Sequence, residues 1–443
     1  MAALLRSRRT LLSAVSVGGA LTYLANDVDS AIARSLRVAR HALIVGLDYK
    51  FGPASKLPAD TEAYKAAMAE THQRSAERML GVCLLHGGLY VKLGQFISSM
   101  NFVLPPAYPT VMSACQDRAT TVDFDTVRTA IEHELGCCLE DKFQSFEHEP
   151  VAAASLAQVH KAVTLKGQRL VAVKVQYPQL PSQIEADMRT MRLLAQATAL
   201  IFPEHEYNWL LPEFESSMRK ELDFLREAAN ASRTRHHFRD EPRVYVPEVL
   251  PELTTSRMLT MEWVDGVKIS DRARIESELG LSSSELAFLV SEAFSAMIFR
   301  HGFVHCDPHP GNLLARSMAS SSTVAAANGE PGLISGWVRG RPRVQPAQLV
   351  LLDHGMYREL SETFRTSYSR LWSALLTGDH STGRAAAAAL GVPESDYDAL
   401  SLVLTFRPAK SSAAIGSRLS HEDRQRLRTK YGKVGANEVN GES

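Results

Sequence analysis

Across 443 residues, 49 lysines and arginines balance 49 aspartates and glutamates, so no global field draws the chain to nucleic acid or to an anionic membrane. With 45% hydrophobic residues the chain can bury a large core spread over two or three domain-sized units. Its five cysteines, Cys83, Cys115, Cys137, Cys138 and Cys306, are odd in number and irregularly spaced, which argues against paired zinc-binding elements and fits reduced thiols.

Residues 1–26 hold no acid, open with Arg6, Arg8 and Arg9, and run apolar or small over 11–24. That pattern fits a mitochondrial targeting helix or a secretory apolar core; the early arginines and the serines favour mitochondria, and Gly18-Gly19 would weaken a buried first helix. Residues 34–41 mix basic and apolar side chains, and 46–58 are expected to form a loop-like connector, with a new unit starting near Asp60. From 62 to 84, Tyr64, Ala67, Met79, Leu80, Cys83 and Leu84 recur at helical spacing, up to Gly87-Gly88. A second helix follows, with Leu89, Leu93, Phe96 and Ile97 on its apolar face and Lys92 and Gln95 one turn apart on another. By chemistry alone that polar pair reads as a solvated edge. Gly94 costs about 1 kcal/mol relative to alanine inside a helix, which implies that something approaches closely there.

Residues 127–146 are expected to be helical, and beyond Pro150 the period changes to strand, small-residue turn and strand. Ala152, Ala153, Ala154 and Ser155 stand where a phosphate-covering loop would lie, with alanine methyls that limit how closely main-chain NH groups can approach a phosphate. Lys174, just beyond on the next strand, favours a nucleotide roof over a plain strand pair. A helix stripe runs from Ile184 to Ile201, and a single helix over 213–233 would carry Glu221, Asp223 and Glu227. Residues 244–247 and 257–266 read as strands leading to a connector with Glu262 and Val264, the hinge beneath the adenine in a kinase plan. Helical residues 284–300 then precede an unusual loop. Residues 317–348, rich in Ser, Ala, Gly and Pro, are expected to be a disordered insertion within a hairpin, since closure entropy grows only slowly with length. Helices are expected over 364–376 and 382–390, with a frayed polar end after 433.

The unusual loop is His305-Cys306-Asp307-Pro308-His309-Pro310-Gly311-Asn312. Its prolines exclude a regular helix, and the Asp307-to-Asn312 spacing is that of a kinase catalytic loop, where Asp takes or orients the hydroxyl proton and Asn grips magnesium. The alternation of His305, Asp307 and His309 also makes a divalent metal cluster conceivable, although that reading leaves Lys174 and Asn312 unexplained. Val171-Ala-Val-Lys174 upstream and Leu351-Leu-Asp353-His-Gly downstream stand in the order a kinase requires.

Together these motifs resemble the aarF-domain, or UbiB-like, family of atypical kinases, over about residues 64–408. The distinctive pieces are Lys92-Leu-Gly-Gln95, the alanine-rich 152–160 stretch, Glu221-Leu-Asp223 with Glu227, and the 305–312 loop. The resemblance implies an α+β, protein-kinase-like two-lobe fold with an added N-terminal helical extension, ATP and magnesium as cofactors, residence in mitochondria or plastids, and links to coenzyme Q and lipid metabolism. It divides the chain into a targeting segment and linker (1–58), the helical extension (59–150), an N-lobe (151–264), a C-lobe (265–408) and a tail (409–443). It further implies that Lys174 holds phosphates and pairs with Glu227, that Asp353 and Asn312 bind magnesium, that Asp307 is the base, and that Glu221 and Asp223 meet the Lys92 and Gln95 helix over the site. Two departures stand out: His354 replaces the Phe that usually follows the metal Asp, and the chain ends early after Pro408 for this family. Cys306 in place of an arginine, and the absence of Ala-Pro-Glu after Asp353, point to a small-molecule or lipid substrate, or to water, in place of a protein.

Overall fold

A computed structural model describes residues 31–59, 61–100, 103–115, 121–178, 180–202, 209–318 and 346–405. The expected targeting segment, the 319–345 part of the insertion and the tail lie outside the described residues. Contacts divide the chain into two compact units, the first made of Met1–His236, Val246–Asp265 and Leu352–Met356, the second of His237–Tyr245, Gly266–Leu351 and Tyr357–Ser443.

Among the described residues the first unit begins with helix α1, Ala31–Phe51, which overturns the loop expected from residue 46. Gly46 and the basic stretch are held helical by tertiary anchors: buried Arg34 pairs with Asp187 at 2.6 Å, and Asp48 receives Arg74 at 3.1 Å. Helix propensity is a weak prior that such contacts override. Helix α2, Glu62–His86, starts on the Thr61 hydroxyl, which accepts from the Tyr64 NH, and stops at Gly87, whose φ of 64° other residues rarely adopt. Helix α3, Gly88–Ser98, carries Lys92, Gly94 and Gln95, and α4 is Ala107–Met112. The close approach implied at Gly94 is Cys115, because a methyl group at Gly94 would collide with the Cys115 sulfur. Cys83 and Cys115 are both buried and unbridged in this core, beside Leu89, Met112, Met188 and Phe214.

Residues 127–146 are not one helix. Helix α5, Phe124–Leu135, is capped by Asp123 and ends at left-handed Gly136, and Phe143–Phe146 forms strand β1. Strands β2 (Ala152–Ala153), β3 (Ala157–Thr164), β4 (Leu170–Gln176) and, later, β6 (Met258–Glu262) complete an antiparallel sheet in the order β1-β3-β4-β6, with β2 on β3. Val171, Val173 and Val175 face the core with Ile131 and Met258, so Lys174 points to the other side, in register with Val159 and Leu259. Helix α6, Leu180–Ile201, packs on α1. The single helix expected over 213–233 is two, α7 (Leu210–Glu221) and α8 (Phe224–His237). The break is made by distant partners: Gln176 donates to the Leu222 carbonyl at 2.6 Å and the Phe224 NH to the Ser256 carbonyl at 3.0 Å.

In the second unit, strands β5 (Val244–Tyr245), β7 (Val267–Lys268), β9 (Leu313–Ser317) and β10 (Ala347–Leu351) form a sheet in the order β5-β10-β9-β7. The antiparallel β9–β10 pairing is the hairpin that brackets the insertion. Helices α9 (Arg272–Ser277) and α10 (Ser283–Ser295) precede a π-helical turn, Ala296–His301, and strand β8, Phe303–His305. Strand β11, Tyr357–Glu359, pairs with β8 and leads directly into α11 (Glu362–Thr377), α12 (His380–Ala389) and α13 (Tyr397–Thr405), which close over Leu371, Ala387 and Tyr397.

Gly94→Ala is expected to lower global stability by about 1–3 kcal/mol by overpacking against Cys115, and Cys115→Ala in the same chain to recover part of it; chemical denaturation of the three proteins measures both.

Candidate active site

Three side chains meet on the first unit. Lys174 Nζ lies 2.8 Å from Glu227 Oε1 and 3.3 Å from Asp353 Oδ2. Strand β4 supplies the lysine, the first turn of α8 the glutamate, and the short 352–356 loop the aspartate. The Lys174 ammonium also lies over the Phe224 ring, with Nζ 4.9 Å from its centroid. Glu227 is buried, whereas the Asp353 side chain keeps 35% of its exposure. Burial opposes the Lys174 ammonium, but the Asp353 and Glu227 carboxylates outweigh it and raise its pKa. For Asp353 burial pushes the other way too, and Lys174, the Gly355 NH and the charge of Lys92 together hold its carboxyl well below the usual range. Burial prevails at Glu227, whose carboxyl is pushed above its ordinary value despite Lys174.

The 352–356 loop is fixed by partners that no motif in the sequence announces. Asn230 Nδ2 donates to the His354 carbonyl at 2.9 Å, and the Gly355 NH donates to Asp353 Oδ1 at 2.9 Å. A Cβ at Gly355 would stand a tight 3.2 Å from that same oxygen, so a side chain there would press on the Asp353 carboxylate. Asn230 stands three residues after Glu227 on one helix face, and that spacing was the available signal. His354, in the place of the usual Phe, is buried.

Around this cluster, Lys92 pairs with Glu221 at 2.5 Å. Gln95 and Asp223 do not share that contact. The Gln95 amide donates to the Cys115 carbonyl at 3.0 Å, while exposed Asp223 accepts from the Leu225 NH at 3.1 Å and starts α8. In the alanine loop the Ala154 NH donates to the Ala157 carbonyl and the Tyr177 hydroxyl to the Ala154 carbonyl, so the turn engages its own main chain. Ser155 is different, since its hydroxyl is buried with no partner among the described residues. Ala152 and Ala153 form β2, Glu262 ends β6, and Val264 is buried in the connector after it.

On the second unit, Asn312 Nδ2 donates to Asp307 Oδ2 at 3.2 Å. The loop that carries them is held by its histidines: His305 Nδ1 accepts from the Asp307 NH and His309 Nδ1 from the Gly311 NH. Both rings serve the local backbone, and no group of three or more His, Cys, Asp or Glu side chains among the described residues is placed to hold a metal. The alternative of a His305–Asp307–His309 cluster is thereby set aside.

A strand lysine paired with a helix glutamate, beside a five-stranded antiparallel sheet, and an Asp–Asn loop on a second, largely helical unit define a kinase-like protein. The ABC1 atypical kinase-like domain matches residues 114–386, more than half of the chain, and the chain belongs to that family. It is 36% identical to AarF domain-containing protein kinase 1 of Mus musculus over 83% of this chain and 65% of the mouse protein. The namesake in Xenopus laevis is 33% identical, over 86% of this chain and 68% of the frog protein. A probable serine/threonine-protein kinase of Dictyostelium discoideum, abkD, is 34% identical over 90% of this chain and 53% of its own length. The chain thus spans about two thirds of the animal relatives and about half of the amoebal one.

Lys174→Ala would leave Glu227 buried beside no ammonium, a change that costs about 3–5 kcal/mol. The Glu227 carboxyl would then rise further above its unfolded value, so the folded state would bind a proton that the unfolded chain releases. Stability of the variant must therefore fall as pH rises from about 4.3, the unfolded glutamate value, through the folded one. Melting curves between pH 5 and 7 should show this slope in Lys174→Ala and lose it when Glu227→Gln is added.

Proposed function

We propose that this chain is an ATP-dependent phosphotransferase or ATPase that uses magnesium, and that it acts on a small molecule or lipid. The observation that carries the reading is the Lys174–Glu227–Asp353 cluster, in which burial keeps Glu227 as the inner anchor of the lysine and leaves Asp353 ionised and partly open. Asp353 and Asn312 are hard oxygen donors of the kind magnesium takes, and Lys174 is a cation suited to phosphate oxygens. The orphaned Ser155 hydroxyl, in the loop proposed to cover the nucleotide, is a buried donor that a phosphate oxygen would satisfy. Bound magnesium would neutralise phosphate charge. Asp307, held by Asn312, is the proposed acceptor of the attacking hydroxyl or water proton, and the Glu262–Val264 connector the proposed seat of the adenine.

The short segment after Asp353 supports the substrate class. Gly355 and Ser361 are separated by five residues, three of which form β11 on β8, and the Leu360 NH then donates to the Gly302 carbonyl. That leaves no long segment to seat a peptide. A second reading, a nucleotide-binding regulator without turnover, draws on Lys92, which is ion-paired to Glu221 and whose charge bears on Asp353, so that two ammonium groups already offset that carboxylate. We place the function in mitochondrial lipid or coenzyme Q metabolism, in the matrix or at the inner membrane. A lipid surface is a proposed partner, supported by the exposed stripe of Ile32, Leu36, Leu43 and Leu47 on α1 beside exposed Arg40 and Lys50. No described helix is long and apolar enough to cross a membrane. Within the family the motifs resemble the branch called aarF domain-containing protein kinase 5, whereas the relatives above carry the kinase 1 name.

Asp353→Asn should abolish magnesium-dependent thermal stabilisation by ATP, and Asp307→Asn should keep the stabilisation while lowering turnover at least about a hundredfold. Binding without turnover in the unaltered protein selects the regulator; binding unchanged in Asp353→Asn misplaces the site. Robust transfer to a peptide and protein mixture that vanishes in Asp307→Asn replaces the small-substrate reading. Deleting residues 1–26 should leave a tagged protein in the cytosol, and N-linked glycans on the full chain would point to secretion instead.

A further inference from the structure

The second unit carries a basic hollow that the nucleotide reading does not use. Helix α10 runs into the π-helical turn Ala296–His301, a rare widening of the helix that is frequent at functional sites, and this turn leaves Phe299 and Arg300 exposed. Beside it α11 presents Thr366, Arg370 and Ser373 at four- and three-residue spacing, with Arg365 next to Thr366, and these side chains together with Phe299 and Arg300 bound an open hollow of about 410 Å³.

The arginines are set in place with no carboxylate partner among the described residues. Arg365 Nη1 donates to the Arg300 carbonyl at 2.9 Å and lies against Gly302, where a Cβ would stand only 3.2 Å from that nitrogen. Gly302 has a φ of 63°, so glycine serves there both for the turn and for the room it leaves the guanidinium. Arg243, elsewhere in this unit, is held by Glu241 and Glu292, whereas no carboxylate among the described residues forms an ion pair with Arg300, Arg365 or Arg370. After burial, the neighbouring charges of His237, Arg300 and Arg365 hold the His301 ring below its usual pKa, which fits an uncompensated positive field. An aromatic shelf adjoins the hollow: the Phe299 and Tyr368 rings stack 5.8 Å apart at 10°, with Phe364 5.6 Å from Tyr368 on the same helix.

Several guanidinium groups unpaired with carboxylates among the described residues, hydroxyls beside them and an exposed apolar shelf fit one ligand chemistry. Planar guanidinium forks match the oxygens of phosphate, and Thr366 and Ser373 can donate to the oxygens left over. We propose that Arg300, Arg365 and Arg370 bind a phosphate group, either free or as the headgroup of an acidic lipid whose apolar part rests on Phe299. The site shares no residue with the proposed nucleotide site.

The test uses the full chain, Arg370→Gln, Arg365→Gln/Arg370→Gln, and Asp353→Asn as the variant that touches only the nucleotide reading. Arg370 is exposed, so its variant keeps the test valid if the Arg365 change impairs folding. Flotation with phosphatidylcholine vesicles, with and without phosphatidic acid, reads the lipid source. Thermal shift in inorganic phosphate against chloride of equal ionic strength reads the free one. The expected result is binding by the unaltered chain and by Asp353→Asn, weakened about tenfold in Arg370→Gln and further in the double variant. Vesicle binding that requires phosphatidic acid and Arg370 assigns a lipid headgroup; a phosphate shift that requires Arg370 without vesicle binding assigns free phosphate. Binding that is absent in the unaltered chain, or unchanged in both arginine variants, overturns the proposal.

Discussion

One ammonium shared by two unlike carboxylates is the constraint on which the first unit is arranged. At the separations seen around Lys174, each pair attracts by on the order of 5–6 kcal/mol at an effective dielectric of 20, and each buried ion costs several kcal/mol of desolvation. The two effects nearly offset, so the cluster adds little to net stability. What it fixes is position. Buried Glu227 holds the lysine from the helix side, while the more open Asp353 stays ionised at the edge. Removing either carboxylate would leave a lysine on a strand whose opposite face is occupied by Val173 and Val175.

The rest of that unit supports this arrangement through backbone detail. The sheet places Lys174 through its register with Val159 and Leu259. The break between α7 and α8 lets Asp223 start a new helix whose first turn carries Glu227. Asn230, one turn on, holds the loop bearing Asp353 through the His354 carbonyl.

Lys174, Asp307, Asn312 and Asp353 stood out because motif order and fixed spacing are local properties of the sequence, whereas Glu227 was singled out from Glu221 and Asp223 by the family resemblance alone. Elements whose form depends on distant partners were not legible. Gly46 reads as a loop residue until Arg34 and Asp48 are seen anchored to Asp187 and Arg74. Leu222 is a good helix former, and only Gln176 and Ser256 show why the helix stops beside it. Gly136 could have ended the helix expected through residue 146, but the β1 pairing that comes after it is with β3, further along the chain. Gly94 drew notice for its cost in a helix, and Cys115, well away in sequence, supplies the reason. That explanation is one of packing, so Gly94 by itself says nothing about the chemistry of Lys92 and Gln95.

In the second unit a single glycine turn connects the Asp307 loop to α11. Gly302 ends the π-helical turn and begins the run into β8, whose last residue, His305, accepts from the Asp307 NH. The Gly302 carbonyl also accepts from the Leu360 NH, and the space a Gly302 side chain would take is occupied by the Arg365 guanidinium and the Leu360 carbonyl. Strand β11 pairs with β8 between these two attachments. A side chain at position 302 would have to displace Arg365 or the Leu360 carbonyl, and either shift would be passed to β8 through the β8–β11 ladder. The position of Asp307 is therefore set as much by how α11 seats on this turn as by its own prolines, which links the arginine hollow to the catalytic-type loop through one short strand.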